Sequence, residues 1–307
     1  MKKLSFVVSL PGENKYLREQ AAVAKATAQR LGLNVHVMNA YSDAIVQSQQ
    51  LLEIIQSSSA PLPDGIIIEP VNDTGLPRVA EAAAAAGIGW VISNARVDYL
   101  ELLRKTSKAP VFAISQDHTE IGRMQGRQFA ALLPGGGSVL YMRGPAANFL
   151  SSQRAAGMES VVPENMQVKT LKVQWTEESA YKSVCSWLRL STVHAADIDL
   201  IAAQNIDFIM GARKAFQDQT EGAEQKNWLS LPYVGAGILN LVKPLVDQGV
   251  LAAAVIISTT VDIALEMLVR VLEHGSQPPE YNFVQASSYP ELEAPAKGQR
   301  LPAGKPK

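Results

Sequence analysis

A chain of 307 residues, 47% hydrophobic and 19% charged, has the makeup of an ordinary globular protein long enough for about two domains. A net charge of −1 offers no electrostatic footprint for nucleic acid or an anionic membrane. No apolar run reaches the roughly 18 residues a membrane span needs, and a single cysteine, Cys185, excludes an internal disulfide. Met1-Lys2-Lys3 ahead of an apolar run has the outline of a signal peptide. That run stops at Pro11-Gly12-Glu13 without a small-residue cleavage site and reads better as a first strand. As written, the chain is expected in the cytoplasm, and in the periplasm where a signal peptide was removed or lies upstream.

Leu4–Leu10 is a short, apolar, β-branched run of strand length, and Pro11-Gly12-Glu13-Asn14 is turn chemistry. Lys15–Leu31 repeats Leu17, Ala21, Ala24, Ala28 and Leu31 at helical spacing, and Gly32 is placed to end that helix. Strand Leu33–Met38 follows, then helix Ala44–Gln56 with Asp43 as its N-cap. Asp64–Pro70 is a near-continuous apolar run, the mark of a parallel strand buried on both faces. Asn72-Asp73-Thr74 is expected to open a helix to Ala86. Strand Trp90–Ser93, helix Asp98–Lys105 and strand Val111–Ser115 complete the first series.

The alternation then begins again. Helices are read at Asp117–Leu133, Ser152–Val162, Glu177–Leu190, Phe208–Gln217 and Thr259–Glu273. Strands are read at Ser138–Met142, Val168–Val173, Ile198–Ala203, Tyr233–Ala236 and Leu251–Ile257. Alternating strands and helices argue for parallel sheets with right-handed crossovers. Two such series make two doubly wound α/β lobes. The segment from Glu291, rich in Pro, Gly, Ala and Lys and without periodicity, is expected to be poorly ordered. In an open parallel sheet, ligands bind beyond the carboxyl ends of the strands, so the Pro11–Tyr16 loop is expected at a ligand-facing edge, the alternative being a plain surface loop.

Little here speaks for catalysis or cofactors. Gly135-Gly136-Gly137-Ser138 precedes a strand instead of following one, and neither GxGxxG nor GxxxxGK[ST] occurs, which counts against nucleotide binding. His36, His118, His194 and His274 are too scattered for a metal set. No GxSxG elbow marks a nucleophile. The expectation is no enzyme, no cofactor and no metal.

Several phrases, in order and spacing together, carry a resemblance. They are Phe6-Val7-Val8-Ser9 with Asn14-Lys15-Tyr16, Asp64-Gly65-Ile66-Ile67-Ile68 with Pro70, and Asp117 followed by Gly122. Gln153-Arg154 with Gly157, Ala203-Gln204-Asn205 and Leu251-Ala252-Ala253 complete the set. Over roughly residues 4–290 the chain resembles the periplasmic sugar-binding proteins of the ribose-binding type and the effector domains of lactose-repressor-like regulators. The resemblance implies the periplasmic binding protein-like I fold, two lobes joined by three crossing strands, with a ligand closing the cleft between them. By that resemblance the crossings fall near Ser115, Ile257 and Val284. An N-terminal lobe then takes residues 1–115 plus 258–284, a C-terminal lobe takes 116–257 plus 285–291, and 292–307 form a disordered tail.

The resemblance also implies site positions. Asn14 falls where relatives have an amide, Tyr16 and Trp175 where they have sugar-stacking aromatics, and Asn205 where a polar residue bonds sugar hydroxyls. The departures matter equally. Asn94-Ala95, with Arg96 one place on, replaces the usual Asp-Arg, and Ser152 replaces an arginine. Gly237 stands for an aspartate and Ile257 for a glutamine. Aromatic platforms are kept while most charged clamps are lost, so either the ligand carries fewer hydroxyls, charges arrive from Arg96, Asp207 or Arg143, or the site is degenerate. Asp117 is expected to serve the first hinge, and Arg154 to be structural. Trp175 has a bland alternative, folding back over its own lobe.

The reading that follows is a non-catalytic binding protein for a sugar, polyol or similar small molecule, working with a membrane permease or a sensor protein, without nucleic acid and without membrane insertion. The alternative is a cytoplasmic ligand-sensing domain that signals to a partner protein, with a non-sugar ligand allowed by the missing clamps. No helix-turn-helix segment precedes Leu4, so a complete DNA-binding repressor is not expected.

Overall fold

The computed structural model describes residues 3–146, 148–190 and 197–291. The expectations for Met1 and Lys2, for His194 and for the tail at 292–307 lie outside the described residues. The first series runs β1 (Ser5–Leu10), α1 (Lys15–Leu31), β2 (Asn34–Asn39), α2 (Ala44–Ile55), β3 (Gly65–Ile68), α3 (Pro77–Ala85), β4 (Gly89–Ser93), α4 (Leu100–Thr106) and β5 (Val111–Gln116). The second runs α5 (His118–Leu132), β6 (Gly137–Arg143), α6 (Phe149–Glu159), β7 (Met166–Lys172), α7 (Glu177–Leu188), β8 (Leu200–Ala203), α8 (Ile206–Gln219), α9 (Gly222–Ser230), β9 (Tyr233–Gly237), α10 (Leu239–Asp247) and β10 (Ala253–Ile256). The chain closes with α11 (Val261–His274), β11 (Tyr281–Val284) and β12 (Ser287–Tyr289).

Two compact units result. The first takes Met1–Asp117, Asn148–Leu150 and Ser258–Gln285, and the second takes His118–Ala147, Ser151–Ile257 and Ala286–Lys307. The fold is α/β, with one parallel-dominated six-stranded sheet in each unit.

In the first unit the strand order is β11-β5-β4-β3-β1-β2, parallel throughout. Alternating side chains of one strand serve opposite faces of the sheet. Val7, Ile66 and Ile68 pack with α2 and α3 residues such as Leu51 and Val79. Phe6, Val8 and Ile67 pack with Leu17 of α1 and Leu265 and Leu268 of α11. Both faces are covered, so the strands must be apolar on both sides, and β3 is buried at all four residues.

The second unit has order β12-β10-β9-β8-β6-β7. Leu140, Met142 and Ile201 face a cluster with Val184 of α7 and Phe208 and Phe216 of α8. Val139, Tyr141 and Leu200 face Phe129 of α5 and Met158 of α6.

Three features depart from the sequence reading. The helix expected to open at Asn72-Asp73-Thr74 opens at Pro77, with Leu76 as its N-cap in the left-handed region (φ 55°). Thr74 Oγ1 instead donates to Asn72 Oδ1 at 2.6 Å, so the polar triplet is a self-contained turn, and proline takes the first helical position where its missing N–H is no loss. Helices α9 and α10 went unread: α10 carries Pro244 inside it, and each of the two buries one residue, Trp228 and Val242 respectively. Finally, the second sheet is not wholly parallel, because β12 pairs antiparallel with β10.

Candidate ligand-binding edges

Because neighbouring strands of the first sheet run parallel, their carboxyl ends share one edge. The residues after β1, β3 and β4 meet there. Asn14 N-caps α1, its Oδ1 accepting from Leu17 N–H at 2.8 Å, and this sets Tyr16 in the first helical turn. The Tyr16 hydroxyl accepts from Gln20 Nε2 and from Asn94 Nδ2, each at 3.0 Å. Asn94 Nδ2 also donates to Glu69 Oε2 at 3.0 Å. Asn94 closes β4 with φ 51°, a left-handed value that asparagine tolerates better than most residues, and its side-chain Oδ1 is buried without a hydrogen-bond partner.

The cluster is anchored from behind. Gln20 Nε2 donates to Thr260 Oγ1 at 2.9 Å, and Gln20 Oε1 accepts from Thr260 N–H and Val261 N–H at 3.2 Å, capping the start of α11. The Ser93 and Thr260 hydroxyls lie 2.7 Å apart. Gln47 Nε2 donates to Ser9 Oγ at 3.1 Å and to Glu69 O at 3.0 Å. Arg96 is not part of this cluster. It is exposed, and its guanidinium lies over the Tyr281 ring, 5.9 Å from the centroid.

At the carboxyl edge of the second sheet, Asn205 N-caps α8, accepting from Phe208 N–H at 2.9 Å, and Asp207 is buried in the first turn. Trp175, held ahead of the Thr176 cap of α7, stacks on Phe208 with centroids 5.4 Å apart and planes 26° apart. The indole also covers Gly144, where an added Cβ would come within 2.6 Å of Trp175 Cζ2. Ser152 Oγ donates to Ala146 O at 2.7 Å. Gly237 ends β9, and a Cβ there would meet Val242 Cγ1 at 2.7 Å, so a side chain at this position has no room. Ile257 is 5% exposed and donates its N–H to Gly237 O at 3.0 Å.

The structure therefore gathers Tyr16 and Asn94, with Asn14 alongside as the N-cap of α1, and separately gathers Trp175 and Asn205 around Phe208. It leaves Arg96 aside. Glu69, Gln20 and Gln204 join these edges without being candidate site residues by sequence. Glu69 is an acidic residue directly after an apolar strand, a signal that was available. Gln204 is fully buried, its Oε1 accepting from Gly144 N–H at 3.0 Å and its Nε2 donating to Ser151 O at 2.9 Å. Arg154 sits behind it, donating to Gln204 O at 2.6 Å and to His118 Nδ1 at 3.3 Å. Burial, with the Arg154 charge beside it, holds the His118 imidazole well below its ordinary value. Among the described residues, no three His, Cys, Asp or Glu side chains converge as metal ligands, and no helix is long and apolar enough to cross a membrane.

Two doubly wound lobes, each presenting hydrogen-bonding side chains at the carboxyl edge of its sheet, define a bilobal α/β binding-protein fold. The chain belongs to the periplasmic binding protein domain family, whose profile matches residues 5–276. It is similar to the "Putative rhizopine-binding protein" of Rhizobium meliloti, 22% identical over 192 residues. That match covers 61% of this chain and 58% of the relative's length. A galactofuranose binding protein superposes with a TM-score of 0.78 at 18% identity, covering 93% of this chain and 94% of its own. An ABC transporter solute binding protein from Bacillus halodurans C-125 with bound myo-inositol superposes with a TM-score of 0.76 at 18% identity, covering 95% of each chain.

Proposed function

We propose that this chain is a non-catalytic binding protein for a sugar or polyol-like small molecule, held by the carboxyl-edge loops of its sheets, and that it serves an importer or a sensor. The observation that carries the reading is the Tyr16–Glu69–Asn94 cluster. A phenol, a carboxylate and an amide are tied to one another by hydrogen bonds at the edge where parallel sheets take ligands. Such groups recognise hydroxyls, and the relatives named for galactofuranose or seen with myo-inositol support that ligand class. Three of the passages of the chain from one unit to the other, those after Asp117, Ile257 and Gln285, are proposed as its hinge.

A thermal-shift screen over sugars, polyols and small acids tests this. At ligand about 1,000-fold above Kd, stability should rise by about 4 kcal/mol. A flat response across sugars and polyols, with a shift from another class only, would contradict the proposal.

A second reading has its own support. Gly237 and Ile257 present no polar side chain, and Gly237 has no room for one. A ligand with fewer hydroxyls than a sugar, sensed in the cytoplasm and reported to a partner protein, fits those positions.

A further inference from the structure

Resting on the sugar or polyol reading above, we propose that the ligand carries an oxyanion, a carboxylate or a phosphate, and that Arg143 with Lys172 receives it. Arg96, Asp207 and Arg143 are charged side chains that the sequence places at strand ends, and the structure treats them differently. Arg96 lies over the Tyr281 ring. Asp207 is buried in the first turn of α8. Arg143 ends β6, partly buried, and its Nε is buried without a hydrogen-bond partner. Other arginines of the same unit are engaged. Arg123 and Arg127 pair with Glu120, Arg154 donates to Gln204 O, and Arg213 lies over the Tyr233 ring. Among the described residues, no carboxylate lies within ion-pair distance of Arg143.

Tyr141 and Arg143 stand two apart on β6 and so share a face of the sheet, the one that packs on α5 and α6. Lys172 of β7 is in register with Arg143, and registered partners of parallel strands point to the same face. Lys172 is exposed and, among the described residues, also outside any ion pair. Acidic side chains are scarce around the two. Strands β6 and β7 hold none, and Glu159, the acid of α6, ends that helix at the opposite, amino edge of the sheet. Two like charges side by side on neighbouring strands repel, and a guanidinium with a buried, unpaired N–H carries an uncompensated desolvation cost. Both effects reverse once an anion joins them. A hydroxyl would fill one donor and leave the charges unbalanced. A carboxylate or phosphate offers two oxygens to the planar guanidinium fork, and the Lys172 ammonium adds a point charge. The pair lies at the carboxyl edge, where parallel sheets take ligands, and the next residue, Gly144, lies under the Trp175 indole. An acidic sugar or a sugar phosphate is the ligand chemistry that matches.

The test is calorimetric titration of the whole chain at pH 7 with matched sets. These are glucose against glucuronate and glucose 6-phosphate, sorbitol against gluconate, and myo-inositol against its monophosphate, with inorganic phosphate alone beside them. In at least one set an acidic member should bind about 10-fold more tightly than its neutral parent, the difference between a charge-assisted and a neutral hydrogen bond. A gain in either arm supports the proposal, and the arm that shows it names the oxyanion. Arg143→Gln should bring the affinity ratio close to one while the neutral parent binds as before, and Lys172→Gln, at an exposed position, should lower the ratio in part. Without ligand, Arg143→Gln should unfold at the parent's midpoint or above it, because the guanidinium leaves no partner behind. Neutral members binding as well as or better than their acidic partners would overturn this proposal while upholding the sugar or polyol reading. So would a preference that survives Arg143→Gln, or a lowered midpoint, the mark of a structural arginine. Inorganic phosphate binding as tightly as the best acidic member would also overturn it, by placing the anion on a site that reads no sugar. Failure of every member to bind would overturn both.

Discussion

The indole of Trp175 lies stacked on the ring of Phe208, centroids 5.4 Å apart and planes 26° apart. An aromatic on a strand-to-helix loop thus has one face committed to the core of its own unit, whatever the ligand does. Trp175→Ala should destabilise the second unit by about 1–3 kcal/mol, because the partly buried ring leaves Phe208 and Gly144 uncovered. Trp175→Phe should recover most of that loss. Denaturant unfolding measures it, and an unchanged midpoint for the alanine variant would show that the stack carries no stability.

Gly157 of α6 sits against the carbonyl of Thr119, and Gly122 of α5 against the carbonyl of Arg154, each so close that an added Cβ would overlap the backbone oxygen. The two helices cross at reciprocal glycines. Gly157→Ala must therefore push α5 and α6 apart, at a cost of about 3 kcal/mol or more. A well-folded alanine variant with native thermal stability would refute this close crossing.

His118 makes the second unit acid-sensitive. In the folded chain, burial and the Arg154 charge hold the imidazole below its ordinary value of 6.5. The unfolded chain takes up a proton near pH 6.5 that the folded chain does not, so stability is fully present above that pH and falls as pH drops below it. The slope contributed is at most about 1.4 kcal/mol per pH unit. His118→Asn keeps an acceptor for Arg154 Nε without the titration. The stability lost between pH 7.5 and 5.5 should be smaller in this variant than in the parent, and equal losses would count against the assignment.

Gln20 ties α1 to α11 through Thr260 Oγ1, Thr260 N–H and Val261 N–H. Gln20→Leu leaves these groups buried without their partner, and the first unit should lose about 1–3 kcal/mol. Hydrogen exchange should show faster opening at the start of α11. Protection there equal to the parent's would show that the cap is dispensable.

Most of the fold was legible because it is written in local chemistry. Gly32 ends α1, Asp43 caps α2, and the fully apolar β3 announces a sheet covered on both faces, whereas the N-cap role of Asn14 lay hidden in what reads as a turn. The reading failed where local signals compete. Asn72-Asp73-Thr74 looks like a helix start but satisfies itself as a turn, while the Pro77 signal a few residues on was the true one. Helix α10 is held by its context despite Pro244, and α9 buries little beyond Trp228. The site was legible only in part. Tyr16 and Asn94 lie 78 positions apart in the chain, and only the sheet order brings them together. The shortage of a donor at Asn94 Oδ1 is a property of three dimensions, absent from any spacing in the sequence.

Binding of a sugar or polyol without turnover is tested most directly by nuclear magnetic resonance of the ligand during titration into the whole chain. The expected result is saturable binding at one site per chain, with the ligand recovered chemically unchanged after prolonged incubation. Accumulation of a product in proportion to protein concentration, or the absence of saturable binding by any sugar or polyol, would contradict it.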